Sequence, residues 1–511
     1  MLILIDEKEL HGLKDVEFRL EKEHHLIAER IKKLNLIKEY GINPYPYKFN
    51  QTHHSKELHE KYQHLKAEEH TEDNVAIAGR IVALRRLGKA TFAQIIDNDG
   101  KIQVLLNEND TKDYDQLKLL DMGDYVGVEG IIFKTKTGEL TVKCLKYTLL
   151  SKSLRPLPEK FHGIQDVEIK YRQRYLDLIM DENSKKVFVL RSQIIKAVRE
   201  FLDSKGFMEV ETPVLETIYG GAAARPFVTH HNELDMKLYL RISLELPLKK
   251  LIAGGFEKVY QIGKVFRNEG VDTTHNPEFT MMECYWAYAD YNDMMELVED
   301  CYNYVALKVL GSTKITYQGN DIELKKPWPR MPMKEALKHY ADLDVDSMST
   351  DEIIGLLKKH KIDYREDMTK GQLTLKLFDV VEDKLMQPIF ITDYPKESTP
   401  LCKLNRHNHD LIEQFEPRIA GMEMGNAYSE LTDPIRQRYL LEEQAKELRA
   451  GLEESNPMDE EFCKAVDYGL PPMSGLGLGI DRMILLLTDS ASIRDILFFP
   501  TMKNTENDYK Q

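Results

Sequence analysis

Two arginines in unlike settings carry the chemistry that this sequence offers. Arg267 opens Arg267-Asn-Glu-Gly270, and His275-Asn-Pro-Glu-Phe279 begins eight residues after it. Arg482 closes Gly475-Leu-Gly-Leu-Gly-Ile-Asp-Arg482 far downstream. A fixed cation near each end of a triphosphate, with carboxylates left over to carry magnesium, is what nucleotide activation requires. Neither segment is a Walker loop or a dinucleotide fingerprint, so the pair implies a different way of holding ATP. The glycine run before Arg482 permits close backbone approach. Taken alone, it also reads as a packing turn ahead of a helix.

Carboxylates surround these cations in sequence. Residues 257–267 and 278–287 read as a hairpin, and strand alternation places Phe279, Met281, Glu283 and Tyr285 on one face. The loop between the strands holds Glu269 and His275; an ordinary hairpin with surface charges is the plain alternative. Asn426, Tyr428 and Glu430 stand at i, i+2 and i+4, one face of a strand. Glu416 and Glu423 are close enough to share a divalent ion from two adjacent strands, since magnesium takes one or two carboxylates plus phosphate oxygens; scattered surface acids are the alternative. Glu245 sits at the start of a predicted helix, where an acid also favours the helix dipole. These acids exceed what a magnesium–ATP complex needs, so the second ligand is expected to be cationic. Arg406-His-Asn-His-Asp410 lacks a cysteine partner or a second cluster, and no zinc site is expected there. His53, His54, His59, His64 and His70 read as a solvated helical face. The serines and cysteines form no nucleophile elbow or Cys/His pair.

The elements that must position these residues follow from periodicity. Residues 17–39 read as one amphipathic helix through Leu20, Ile27, Ile31 and Leu34, stopped by Gly41-Ile-Asn-Pro44. Five short strand patterns, at 75–81, 91–96, 102–106, 125–132 and 140–145, with Asp97-Asn-Asp-Gly100 as a hairpin turn, predict a small closed barrel of the OB type. Leu154-Arg-Pro-Leu-Pro158 breaks the pattern. The expected organisation is a helical segment (1–74), a barrel (75–152), a linker (153–180) and one long α+β domain (181–511). In that domain Lys185–Gly206, 244–253 and 291–310 are helical, 208–213 is extended, and strands occupy 236–243, 257–266 and 278–287. Residues 330–385 form a charged helical insertion, and Ile480–Leu487 is apolar at helical density.

Bulk properties narrow the setting. The 511 residues carry a formal charge of −15, so bulk charge does not predict a nucleic-acid partner; one would need a local basic surface. Five scattered cysteines without a CxxC pair indicate a reducing compartment rather than a disulfide framework. Met1-Leu-Ile-Leu-Ile5 is too short for a signal peptide, and no run approaches the ~20 apolar residues of a membrane span. A cytoplasmic protein is expected.

Phe266-Arg-Asn-Glu269 with Phe279-Thr-Met-Met-Glu283, and Gly475–Arg482, resemble motifs 2 and 3 of the class II aminoacyl-tRNA synthetases. Gly206-Phe-Met-Glu-Val-Glu-Thr-Pro213 looks like motif 1, the dimer-interface motif. The barrel is similar to the anticodon-binding domain of the subgroup for aspartate, asparagine and lysine. Gly220-Gly-Ala-Ala-Ala-Arg-Pro-Phe227, Thr229-His-His-Asn232 and Gly425-Asn-Ala-Tyr-Ser-Glu430 match the lysyl branch of that family. The resemblance covers roughly residues 20 to 500. It implies an OB-fold barrel joined to a catalytic domain built on an antiparallel sheet, a homodimer, and activation of lysine with ATP before transfer to tRNA(Lys). It assigns Arg267 to the lysine carboxylate and the α-phosphate, and Glu269, His275, Asn276 and Phe279 to ATP, with adenine on Phe279. Arg482 would take the γ-phosphate end, and Glu416 and Glu423 the magnesium. Gly221, Glu245, Glu283, Tyr285, Asn426, Tyr428 and Glu430 would line the lysine pocket. Arg80, Phe92, Gln103 and Glu139 match anticodon-reading positions. Phe92 reads equally as barrel core, although its alternation with Gln94 favours an outward ring. No DNA or membrane partner is implied, and the missing lysine-rich extension points to a bacterial-type enzyme. An aspartyl or asparaginyl enzyme would need a cationic or neutral pocket; a lysyl ligase acting on protein would lack the barrel. A non-catalytic scaffold would be expected to have lost Arg267, Arg482 or the magnesium acids.

Overall fold

Side chains between residues 70 and 151 alternate inward and outward, strand after strand, until the strands close on themselves. The computed structural model describes residues 7–158, 164, 166–449 and 456–503, divided into two units, Met1–Gly163 and Ile164–Gln511. The first unit begins with α1 (Glu7–Glu23), α2 (His25–Glu39) and α3 (Ser55–Lys61). The single helix expected over 17–39 is in fact two. His24 is extended, and its ring accepts a hydrogen bond from Leu26 N at 3.1 Å, which caps α2 and separates it from α1. Next come β1 (His70–Leu87), β2 (Ala90–Ile96), β3 (Lys101–Asn107), β4 (Tyr125–Lys134) and β5 (Leu140–Ser151). Among the described residues these five strands form a closed barrel in the order β1-β2-β3-β5-β4, the OB-fold that the strand spacing predicts. Asp97 fixes the β2–β3 turn by accepting from Asp99 N and Gly100 N at 2.8 and 2.9 Å.

The second unit opens with α4 (Val167–Arg172) and α5 (Arg174–Met180). These helices lie inside the span 153–180 expected as a linker, of which residues 159–163 and 165 are outside the described ones. The long α6 (Glu182–Ser204) is capped by Asp181 and followed by Gly206 at φ +80°, a left-handed stop that suits glycine. Then follow β6 (Met208–Glu209), a separate small sheet of β7 (Leu215–Glu216), β8 (Val228–His231) and β9 (Met236–Leu240), and α7 (Glu245–Ala253). After these come β10 (Lys258–Phe266), β11 (Glu278–Ala287), α8 (Tyr291–Leu310) and the hairpin β12 (Lys314–Tyr317) and β13 (Asn320–Glu323). The stretch from 330 holds β14 (Arg330–Pro332), α9 (Met333–Ala341), α10 (Thr350–His360), α11 (Lys370–Leu377) and α12 (Asp379–Glu382). Last come β15 (Ile389–Pro395), β16 (Leu411–Ile419), β17 (Met422–Glu423), β18 (Gly425–Ser429), α13 (Pro434–Arg449), α14 (Glu460–Asp467), β19 (Met473–Gly479), α15 (Ile480–Leu487) and α16 (Ile493–Ile496). One nine-stranded sheet, counted over the described residues, runs β14-β15-β16-β18-β19-β11-β10-β6, with β17 paired to β16. Only its end pairs, β6–β10 and β14–β15, are parallel.

The middle of this sheet has two different faces. Met282 and Cys284 of β11, Ala427 of β18, and Leu476 and Leu478 of β19 join the core under α6, α8 and α15. The alternate residues line a cleft: Met281, Glu283 and Tyr285; Asn426 and Tyr428; Gly475, Gly477 and Gly479. The glycine run is therefore a central strand and not a turn. Its period of two leaves the cleft side bare while two leucines anchor the other side. The helices of 333–382 build a second core with β15 and α14, through Leu337, Leu357, Leu377, Ile391 and Phe462.

Candidate active site

The cleft encloses about 480 Å³ and is lined by every candidate that the sequence supplied in the second unit. That volume suits a small-molecule site. Glycine pairing explains the convergence. Gly475 lies between Tyr428 on β18 and Tyr285 on β11, and Gly477 lies between Asn426 and Glu283. Four functional side chains thus flank a strand that has none.

Arg267 stands at one end. Its backbone N donates to Pro277 O at 2.8 Å, closing the β10–β11 loop, and its guanidinium lies 5.1 Å from the centre of the Phe279 ring. Burial lowers its pKa, with Glu269 and Glu423 opposing. Glu269 is exposed at the mouth. His275 is also exposed, its Nδ1 2.9 Å from the Asp272 carboxylate. Asn276 is buried; its amide donates to Glu278 O at 2.7 Å, and its Oδ1 has no hydrogen-bond partner among the described residues. Arg482, in the first turn of α15, donates to Glu423 O and lies 3.5 Å from Glu423 Oε2. Glu416 is on β16, next to the β17 strand that carries Glu423. Arg418 bridges Glu416 to Glu382, its Nη1 2.6 Å from Glu382 Oε1. Burial pushes the Glu416 carboxyl up, Arg418 opposes this and Glu423 adds to it. These two carboxylates on adjacent strands, Glu423 next to Arg482 and Glu416 next to Arg418, would suit a magnesium ion that also holds phosphate oxygens.

The other end is an acidic pocket. Glu283 accepts from Leu244 N at 2.8 Å and Ser243 Oγ at 3.1 Å, and Tyr285 OH donates to it at 3.3 Å. Tyr428 OH donates to Glu245 Oε1 at 2.6 Å. Lys249, four residues beyond Glu245 on α7, forms ion pairs with both Glu245 and Glu430. Glu430 is 1 % exposed. Burial beside Glu245 pushes Glu283 up to about 7. Burial opposes ionisation of Glu430 as well, and the paired Lys249 ammonium favours its carboxylate form. Gly221 sits at φ +82°, and a Cβ there would meet Ser243 Oγ at 2.8 Å, so both conformation and space require glycine.

Residues 166–503 match the family described as class II tRNA synthetases (D, K and N), and residues 75–150 match the OB-fold nucleic acid binding domain. The chain is 50 % identical over 510 residues to the lysine–tRNA ligase of Clostridium novyi, covering 98 % of each protein. It is 49 % identical over 496 residues to those of Moorella thermoacetica and Enterococcus faecalis, covering 96 % of this chain and all of the relatives. The chain belongs to the lysine–tRNA ligase family of class II synthetases.

In this lysine–tRNA ligase family member the barrel places its four sequence candidates outside the barrel core. Thr91, Ala93 and Ile95 are buried while Phe92 and Gln94 are partly exposed, so Phe92 is not core. Gln94 pairs with Gln103, and Gln103 donates to Thr141 Oγ1 at 2.9 Å. Arg80 lies 4.3 Å from the centre of the Tyr125 ring, and Glu139 is exposed in the β4–β5 turn.

Sequence reasoning missed four residues in or directly behind the cleft wall. Gln414, two residues before Glu416, donates to Asn426 Oδ1 at 3.1 Å; strand alternation from Glu416 was the available signal. Lys249 was legible only as an i,i+4 partner of Glu245. Ser243 carried no signal apart from the fold, because its partner Glu283 is on another element, and Arg418 was legible only as the i,i+2 neighbour of Glu416 on one strand face.

Proposed function

We propose that the cleft divides lysine activation between its two ends, with Arg267 at the join. Glu245, Glu283, Glu430 and Tyr285 receive the ammonium groups of lysine, and Arg267 takes its carboxylate together with the α-phosphate of ATP. Phe279, Asn276, His275 and Glu269 hold the nucleoside side, and Arg482 the far phosphate. A lysine carboxylate oxygen attacks the α-phosphorus in line; the lysyl-adenylate forms and pyrophosphate leaves. The carboxylate is already ionised at neutral pH, so the protein supplies alignment and charge rather than a general base. Magnesium held by Glu416 and Glu423 would neutralise phosphate charge. The terminal ribose hydroxyl of tRNA(Lys) then attacks the anhydride carbonyl, and AMP leaves.

The observation that carries this reading is a fully buried acidic pocket opening onto the same cleft as Arg267 and Arg482. A buried carboxylate left unpaired costs several kcal/mol, so uncharged isosteres of lysine are rejected. The outward faces of Arg80, Phe92, Gln103 and Glu139 read the anticodon, by stacking on Phe92 and hydrogen bonds to base edges. We assign a homodimer through the Gly206–Pro213 region, where β6 is an edge strand and Met208 is 43 % exposed. Among the described residues no helix is long and apolar enough to cross a membrane. All five cysteines are buried and free, which supports a reducing compartment such as the cytoplasm. ATP–pyrophosphate exchange with each of the twenty amino acids tests the reading. Lysine is expected to drive exchange; exchange driven by aspartate or asparagine, or none with lysine, overturns it.

A further inference from the structure

The acids of the pocket already own a cation. Lys249 is 1 % exposed, and its ammonium pairs with Glu245 from its own helix and with Glu430 beyond β18. The Tyr428 ring lies 5.4 Å from that ammonium, and the rings of Tyr285 on β11 and Phe462 on α14 lie 5.9 Å from it. Lys249 is not among the residues that line the cleft, so it reaches the carboxylates from behind. Glu430 Oε1, a fully buried acceptor without a hydrogen-bond partner among the described residues, faces the space beside Gly475 and Tyr285.

Formal charge gives this arrangement a meaning. Glu245, Glu283 and Glu430 are three carboxylates. Lysine brings two ammonium groups, and its own carboxylate goes to Arg267. One acid would be left without a cation in a buried site, which carries a heavy desolvation cost. Lys249 supplies the missing partner. Without it, two neighbouring carboxylates would repel until one took a proton, and a hydroxyl would then replace an acceptor that the substrate ammonium needs.

We propose that Lys249 is a specificity-determining positioning residue: a resident ammonium that neutralises one of the pocket's three acids and engages one oxygen each of Glu245 and Glu430, so that the pocket is balanced by an amino acid with a singly cationic side chain. It touches neither substrate nor reacting atoms. The inference rests on the lysine reading of the cleft.

The test is ATP–pyrophosphate exchange with the full-length chain, its Lys249→Met variant and the double variant Lys249→Met with Glu245→Gln. Absence of lysine-dependent exchange in the unmodified protein would count against the lysine reading, not against this role. Lys249→Met is expected to raise KM for lysine about tenfold or more, with kcat and KM for ATP changed less than about threefold. Glu245→Gln removes the surplus charge and keeps an acceptor oxygen for Tyr428. Added to Lys249→Met, it is expected to lower KM for lysine again by about threefold or more. The proposal is overturned by a folded Lys249→Met protein whose KM for lysine stays within about twofold of the parent, or by an equal rise in KM for ATP. It is also overturned by a double variant that gains nothing over the single one. If Lys249→Met does not fold, the double variant must fold and use lysine; a double variant that also fails to fold overturns the proposal.

Discussion

Gly475 leaves vacant the space that the Glu430 carboxylate occupies. A Cβ on Gly475 would come nearer to Glu430 Oε1 and to Tyr285 Cε1 than the 3.0 Å that real Cβ atoms keep. Gly475 does not need glycine for its backbone, since it is not among the positive-φ residues; it needs glycine for the pocket. Gly475→Ala should therefore displace Glu430 or Tyr285 and leave strand β19 in place. Overpacking of this kind costs about 1–3 kcal/mol, which is about 5- to 150-fold in KM for lysine. Steady-state exchange kinetics would read that rise, with KM for ATP nearly unchanged and thermal unfolding close to that of the parent. Equal losses for both substrates would place the damage in the sheet instead.

The pocket acids also predict a pH dependence. Burial beside Glu245 pushes Glu283 up to about 7, above its ordinary 4.5, whereas Glu430 is ion-paired with Lys249. Without lysine, Glu283 therefore holds a proton at pH values where the unfolded chain has released it. Stability without lysine falls as pH rises from about 4.5 toward 7, the window in which the folded state binds more protons. An incoming ammonium favours the ionised acids. Lysine binding should tighten across that window and release protons, and saturating lysine should offset the loss of stability. Calorimetric titration in two buffers of different ionisation heat measures the release. Binding that is indifferent to pH between 6 and 9, roughly, would contradict the assignment.

Most of the cleft was legible because its chemistry follows strand alternation. Phe279, Glu283 and Tyr285 on one strand, and Asn426 and Tyr428 on another, fall on one face whatever surrounds them. The glycine run was harder. Its composition suggests a turn, and only the buried Leu476 and Leu478 on the far side make it a strand. Lys249 was opaque for a different reason. One of its two partners is adjacent on the helix, but the other, Glu430, is brought to it by the sheet. The break at His24 was missed because α1 and α2 carry the same helical period on either side of it. The barrel was the easiest part, since five alternating strands leave little choice of architecture.

The two arginines should fail differently. Arg267 contacts the Phe279 ring and, in the proposed reading, is the residue at which lysine and nucleotide meet; Arg482 donates to Glu423 O on β17 at the other end. Arg267→Ala is expected to lower kcat about 10²- to 10³-fold, the usual effect of losing a donor aimed at developing charge. Arg482→Ala should act mainly on KM for ATP, by about 10- to 150-fold, as for a charged hydrogen bond worth about 1.5–3 kcal/mol. Exchange kinetics with each substrate varied in turn separates the two. The same pattern from both variants would mean that they act as one unit.

Phe92 offers a test of the barrel that leaves the cleft untouched. Its ring is on the outer face, between buried Thr91 and Ala93, and its cross-strand neighbours are Arg85 and Leu105. Truncation removes a half-exposed ring, so the barrel should lose little stability. Stacking of a base on an aromatic ring is worth about 1–3 kcal/mol, and Phe92→Ala should therefore weaken charging of tRNA(Lys) about 5- to 150-fold. Lysine-dependent ATP–pyrophosphate exchange needs no tRNA and should be unchanged. The two assays on one preparation decide the matter. Parallel loss in both would assign Phe92 a structural role, whereas loss of charging alone places a nucleic-acid base on its ring.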